Sequence, residues 1–331
     1  MLTDVLGQSD VARKFLNARR QGRLAQAYIL SGPDGIGKMP FAMELAKTFL
    51  CQEKGDDACE HCPSCRKVQH GNHEDIEILE PFGPGQVIRM RDDIDPLIER
   101  LNYKTRSGEH RYVILREADR MREEAQNHFL KTLEEPPTDV TFFLLTARMP
   151  ALLETIISRC QIVRMHRAAP HEIEQFLVKR GMDPDRARLY SRLADGCPGR
   201  AVRMDEEGIF DRRQRVLTWL ADLDKIGAVM LANAVIDENR SRTLMEARSK
   251  YSLDLALMAT IYRDMTLLAE GADPSLLYNP DVAGDLARRA RKTGARRLRE
   301  QSAKILESRR HVEANVSTDL IISNLLAELA A

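Results

Sequence analysis

The sequence predicts an α/β protein: a parallel sheet with helices on both faces, followed by a helical remainder. Three observations carry that expectation. The first half alternates short apolar runs with amphipathic stretches, the mark of a repeating βα unit. A glycine-rich loop ending in Gly37-Lys38 joins one such run to the helical pattern after it. Beyond Met165 the apolar runs cease and only helical periodicity continues.

Strands are expected at Ala27–Leu30, Ile76–Leu79, Tyr112–Leu115, Thr141–Thr146 and Gln161–Met165, where apolar and β-branched residues run together. Between them, Phe41, Leu45 and Phe49 recur at helical spacing, as do Ile94, Leu97, Ile98 and Leu101. Pro96 falls inside the second group, so that helix kinks or begins late. Short helices are expected at His171–Arg180, Asp185–Ala194 and Gly199–Asp205, separated by Gly181, Pro184, Gly196 and Pro198. From about Phe210 the pattern is helical throughout. Leu253, Leu257 and Ile261 mark one apolar face, and Val312, Val316, Leu320 and Asn324 approximate another. A helix is expected from His311 to Leu329, apolar enough to need a partner, in this chain or in a neighbouring collar domain.

At 331 residues the chain has room for two or three domains of about 100–200 residues each. Fifty Lys and Arg against 50 Asp and Glu leave it formally neutral, which argues against a free-standing, strongly basic nucleic-acid binder. With 43% apolar and 30% charged residues it has the composition of a folded soluble protein. No apolar run approaches the ~18 residues of a membrane span, and the first residues lack a signal-peptide layout. Six cysteines, four of them between Cys51 and Cys65, are too few for a disulfide scaffold, so a cytoplasmic location with reduced thiols is expected.

Gly32, Gly35, Gly37 and Lys38 belong to a phosphate loop, Gly32-Pro33-Asp34-Gly35-Ile36-Gly37-Lys38, set between an expected strand and helix. Such a loop cradles phosphate with backbone N–H groups and a helix N-terminus. The next residue should be Ser or Thr, whose hydroxyl holds Mg²⁺; here it is Met39, whose thioether is a poor ligand for a hard cation. The second metal-binding element is altered as well. Tyr112–Leu115 runs into Arg116-Glu117-Ala118-Asp119, placing a cation where an anion should stand. At an effective dielectric near 20, two unit charges about 4 Å apart interact by roughly 4 kcal/mol, and a divalent ion roughly doubles the repulsion. Mg²⁺ is therefore not expected, ATP binding is put in doubt, and hydrolysis by this chain alone is disfavoured. The competing reading has Arg116 clamping phosphate in place of the metal.

Cys51, Cys59, Cys62 and Cys65 form C-x₇-C-x₂-C-x₂-C just after the phosphate-loop helix. Four thiolates complete a tetrahedral shell, and Zn²⁺ is the usual occupant. A closed shell leaves no open position, so the zinc is expected to be structural. Cys160 and Cys197 stand apart and suit core packing.

Leu6-Gly7-Gln8, Ala27–Pro33, the four-cysteine knuckle, Leu130-Lys131-Thr132-Leu133-Glu134-Glu135-Pro136-Pro137 and Ser158-Arg159-Cys160 occur in that order. In these the chain resembles bacterial clamp-loader subunits of the AAA+ class, over about its first 205 residues, to Ala194–Ala201. The resemblance implies an AAA+ P-loop core over 1–167 with the zinc insertion at 51–65, a helical lid over 168–207, and a helical collar over 208–331. It implies gamma/tau and delta clamp-loader subunits as partners, with the sliding clamp and primed DNA reached through the complex, and no membrane. Of the two branches that share the knuckle, gamma/tau ATPases keep intact metal-binding motifs; the other commonly carries degraded ones and ends near this length. Met39 and Arg116 match the second; the enzyme alternative is a divergent gamma/tau-like ATPase that tolerates both.

In this family the arginine of the Ser-Arg-Cys triplet projects into the nucleotide site of the neighbouring subunit, which gives Arg159 the role of an arginine finger in trans. Such groups contribute ~10³–10⁵ in rate. Arg200 lies where related ATPases carry a phosphate-sensing arginine, or else only ties the small helical unit to the core. Thr146 matches a polar sensor position and is equally good strand structure. Seven cations from Arg288 to Arg299 form either a DNA-facing stripe or a solvated helix face.

Overall fold

The computed structural model describes residues 1–83, 85–101, 110–136, 139–241, 243–314 and 317–330. Two compact units emerge: Met1–Arg180 with Ala194–Ala201, and Gly181–Leu193 with Val202–Ala331.

The first unit is built on five parallel strands, β1 (Ala27–Ser31), β2 (Ile76–Leu79), β3 (Arg111–Leu115), β4 (Val140–Thr146) and β5 (Gln161–Arg164), in the order β2-β3-β4-β1-β5. All five expected strands are present. In the centre, Ala27 to Ser31 pair with Phe142 to Thr146, and Arg111 to Leu115 with Val140 to Leu144. β4 is buried along its whole length, as a central parallel strand covered on both faces must be.

The helices are α1 (Ser9–Arg20), α2 (Lys38–Leu50), α3 (Pro63–Gln69), α4 (Asp95–Leu101), α5 (Glu123–Glu134), α6 (Glu154–Ile157) and α7 (Pro170–Lys179). On one face Val11, Ala12 and Phe15 of α1 and Phe41, Ala42 and Leu45 of α2 pack on Tyr28, Leu30, Tyr112 and Phe143. On the other, Ile94, Leu97, Leu101, Ala125 and Phe129 pack on Ile29, Val113, Phe142 and Leu144. Successive strand residues thus feed opposite cores, the period-2 rule of a sheet. Pro96 does not kink α4; it sits in the first turn, where its missing N–H costs nothing, and a wide turn over Met90–Ile94 leads into it.

The second unit holds α8 (Pro184–Leu193), most of α9 (Pro198–Glu206), α10 (Ile209–Ile226), α11 (Ala228–Asn239), α12 (Leu244–Ala269), α13 (Ala283–Thr293), α14 (Ala295–Glu313) and α15 (Thr318–Ala330). Pro170, Pro184 and Pro198 open helices rather than merely separating them. The stretch from His311 to Leu329 is not one helix. α14 ends at Glu313, and α15 begins at Thr318. Val316 lies outside the described residues. Leu320 is 58% exposed, whereas Ile321, Ile322, Leu325 and Leu326 are buried, so the apolar face is rotated from the expected one. Its partner is within the chain, since α15 packs on α11 and α14.

Two ion-pair networks anchored on buried arginines hold this unit. Arg212 donates to both Asp254 carboxylate oxygens at 2.6 and 2.8 Å and to Asn239 at 2.7 Å. Arg213, fully buried, donates to Asn279 at 2.7 Å and to Asp281 at 2.7 and 2.9 Å. Among the described residues no helix is long and apolar enough to cross a membrane.

Candidate functional site

The carboxyl ends of parallel strands share one edge of the sheet, the usual place for a ligand in such folds. The phosphate loop leaves β1 there. Gly37 closes it with φ +102°, backbone that an L side chain rarely adopts, and α2 begins at Lys38. The Lys38 ammonium donates to the carbonyls of Gly32 at 2.6 Å and Pro33 at 3.0 Å. It is 11% exposed, and burial pushes its pKa down against the pull of Asp34 and Asp119. The lysine is thus folded onto its own loop. Met39 packs against the apolar core in the metal-hook position. Gly35 is in contact with the turn that opens α9: Gly199 N–H donates to the Gly35 carbonyl at 2.9 Å, and a Cβ on Gly35 would stand 2.6 Å from the Arg200 nitrogen. Arg200 therefore meets the loop through its backbone.

At the end of β3, Arg116 pairs with Glu80 at 2.9 Å. Glu80 offsets part of the charge that would repel a metal ion. Glu117 adopts φ +50° and pairs with Arg120 at 2.6 Å. Sequence reasoning passed over Asp119. Its side chain is 6% exposed and accepts from the Thr146 hydroxyl at 2.9 Å, Ala147 N–H at 3.3 Å and Arg148 Nε at 3.1 Å. Burial alone would raise its pKa, but these donors outweigh burial and hold it below the usual carboxylate range. Thr146, the expected sensor, is accordingly engaged with Asp119. The available signal was an acid just past β3 beside a Thr ending the neighbouring strand.

Cys51, Cys59, Cys62 and Cys65 converge, with all four Sγ atoms within 4.8 Å of one another. A tetrahedral ion with Zn–S bonds of about 2.3 Å sets sulfurs about 3.8 Å apart, and Cys59 Sγ stands 4.0 Å from Cys65 Sγ. Backbone N–H groups point at three of the sulfurs: Cys59 to Cys51 at 3.4 Å, Cys62 to Cys59 at 3.3 Å and Cys65 to Cys62 at 3.4 Å. Burial would raise the Cys62 thiol, but backbone donors prevail and bring it down to about 6. Four converging sulfurs, three of them facing amide donors, fit a soft cation. Asp57 ties this insertion to the rest of the unit by accepting from Leu2 N–H at 3.1 Å and the Thr48 hydroxyl at 3.0 Å. Buried Lys47 does the same through Glu60 at 2.8 Å. The cluster follows the far end of α2, a helix about 20 Å long, and so stands apart from the phosphate loop.

Arg159 follows α6 and is 36% exposed. One guanidinium nitrogen donates to the Thr155 carbonyl at 3.1 Å, the other to Glu134 at 2.5 Å. Next to it Cys160 packs on the core, and burial pushes its thiol up to about 12, an inert group. Cys197 lies in the other core. Pro137, the end of the motif that contains Glu134, lies outside the described residues.

A family model described as DNA polymerase III, delta subunit, matches residues 7–169. The DNA polymerase III subunit delta' of Bacillus subtilis (strain 168) is 27% identical over 324 residues, spanning 97% of this chain and 96% of that one. Subunit gamma of Buchnera aphidicola is 30% identical over 254 residues, 73% of this chain and 69% of its own. Subunit tau of Salmonella typhimurium is 32% identical over 256 residues, 73% of this chain and 39% of the longer tau. The likeness to the Bacillus subtilis delta' thus runs through the helical second unit, whereas the likeness to these tau and gamma subunits covers less of this chain.

Proposed function

The chain belongs to the DNA polymerase III subunit family of delta' and gamma/tau, and from that membership we propose that it is the delta' member of a clamp loader, an assembly component without ATP turnover of its own. In this reading 1–167 is the AAA+ core, 168–207 the lid and 208–331 the collar. Its partners are gamma/tau and delta subunits, and the sliding clamp and primed DNA are met through the complex.

One observation carries the non-hydrolysing part. Three side chains that an ATPase would turn toward nucleotide are engaged within the protein: Lys38 on its loop carbonyls, Glu117 on Arg120, Thr146 on Asp119, with Met39 in place of the metal-binding hydroxyl. A bound nucleotide would have to displace these partners and would still find no anchor for Mg²⁺. Cys51, Cys59, Cys62 and Cys65 hold Zn²⁺ in a closed shell that fixes the fold of the insertion. Arg159 acts on a neighbour's site, where its guanidinium offsets charge developing on the γ-phosphate.

The purified chain should show no Mg²⁺-dependent ATP turnover, and turnover by the pure chain would overturn this reading in favour of a divergent ATPase. Arg159→Ala should assemble normally yet lower ATP turnover of the reconstituted loader by at least about tenfold; unchanged turnover would remove the finger role.

A further inference from the structure

Glu134 stands at the last residue of α5, followed by Glu135 and Pro136. Helix carbonyls concentrate negative potential at that end, so a cation is favoured there and an acid is disfavoured. The carboxylate is therefore misplaced as helix chemistry, yet it contacts Arg159 at 2.5 Å.

The other anchor of Arg159 is the Thr155 carbonyl, which also accepts from the Ser158 hydroxyl at 3.0 Å. A guanidinium offers five N–H donors in a planar fork. Two are used by these anchors, which leaves donors free to meet a phosphate. Held this way, the side chain has already lost much of the rotamer freedom that an unsupported arginine would surrender on engaging a ligand.

We infer that Glu134 is a positioning residue: together with the Thr155 carbonyl it pre-sets the Arg159 fork for the neighbouring subunit's γ-phosphate. The inference rests on the finger reading of Arg159. It concerns a transition-state contact, so its signature lies in kcat rather than in the KM for ATP.

The test uses the loader reconstituted from this full chain with its gamma-type ATPase and delta-type partners. Glu134 is 47% exposed, so its truncation leaves the core packing untouched. Glu134→Ala should assemble and melt as the wild type does, lower kcat about five- to twentyfold, and leave the KM for ATP within about twofold. Glu134→Gln, which keeps an acceptor but loses the charge, should fall between. In the Arg159→Ala background, Glu134→Ala should have no further effect. Wild-type or faster turnover by Glu134→Ala, while Arg159→Ala slows the complex, overturns the positioning role alone. So does a full Glu134→Ala loss in the Arg159→Ala background, which would show Glu134 acting through something else. Wild-type turnover by Arg159→Ala would instead overturn the finger reading itself.

Discussion

Asp119 joins the end of β3 to the end of β4, because its carboxylate receives the Thr146 hydroxyl, the Ala147 amide and the Arg148 guanidinium. Hydrogen bonds to a charged group contribute about 1.5–3 kcal/mol each at most, and an amide replaces some of them. Asp119→Asn should therefore lower stability at neutral pH by about 1–2 kcal/mol. A carboxyl held below its ordinary range adds stability that is present above that range and is lost as pH falls through its lowered value. In urea titrations from about pH 7 to about pH 3, the gap between wild type and variant should narrow toward the acid end. A gap independent of pH would assign the loss to packing instead of charge. The same residue marks what was hidden in the sequence. Met39 and Arg116 could be seen as departures from a pattern, whereas the partners that engage Lys38, Glu117 and Thr146 needed coordinates.

At the scale of elements, α2 separates two chemistries, with the phosphate loop before its first turn and the cysteine cage after its last. Cys62 caps α3 by accepting from Cys65 N–H, so metal ligation and the start of that helix are one structure. The purified protein should contain about one zinc per chain. Cys62→Ser, or a strong chelator, should remove it and lower the melting temperature; metal analysis finding no zinc after gentle purification would contradict the cage. The spacing of the four cysteines made this site legible because its ligands are near in sequence. The central strands β1, β3 and β4 were legible for a related reason: burial on both faces demands unbroken apolar runs such as Thr141–Thr146. The break between α14 and α15 was not. Apolar residues on both sides continue a tolerable helical period, and only packing against α11 and α14 selects Ile322 and Leu326 over Leu320.

Over the whole molecule, charge is balanced at formal net zero with a pI near 7.1, and the structure distributes that balance locally. Arg212 and Arg213, which as adjacent arginines resemble surface residues, are themselves buried and spent on Asp254 and Asp281. The cation-rich run is answered by pairs at the surface: Arg288 pairs with Asp285, Arg296 with Glu300 at 3.1 Å and Arg299 with Glu270 at 3.1 Å. Affinity for nucleic acid grows with the number of phosphates neutralised, and a cation already facing an acid contributes less counterion release. The chain alone should therefore bind primed DNA weakly. In fluorescence anisotropy with a labelled primed duplex, no saturation is expected at micromolar protein near 0.15 M salt, where non-specific affinities fall to about 10⁻⁴–10⁻⁶ M. Tight binding under those conditions, weakened by replacing Arg291 and Arg297, would instead make α13 and α14 a nucleic-acid surface in their own right.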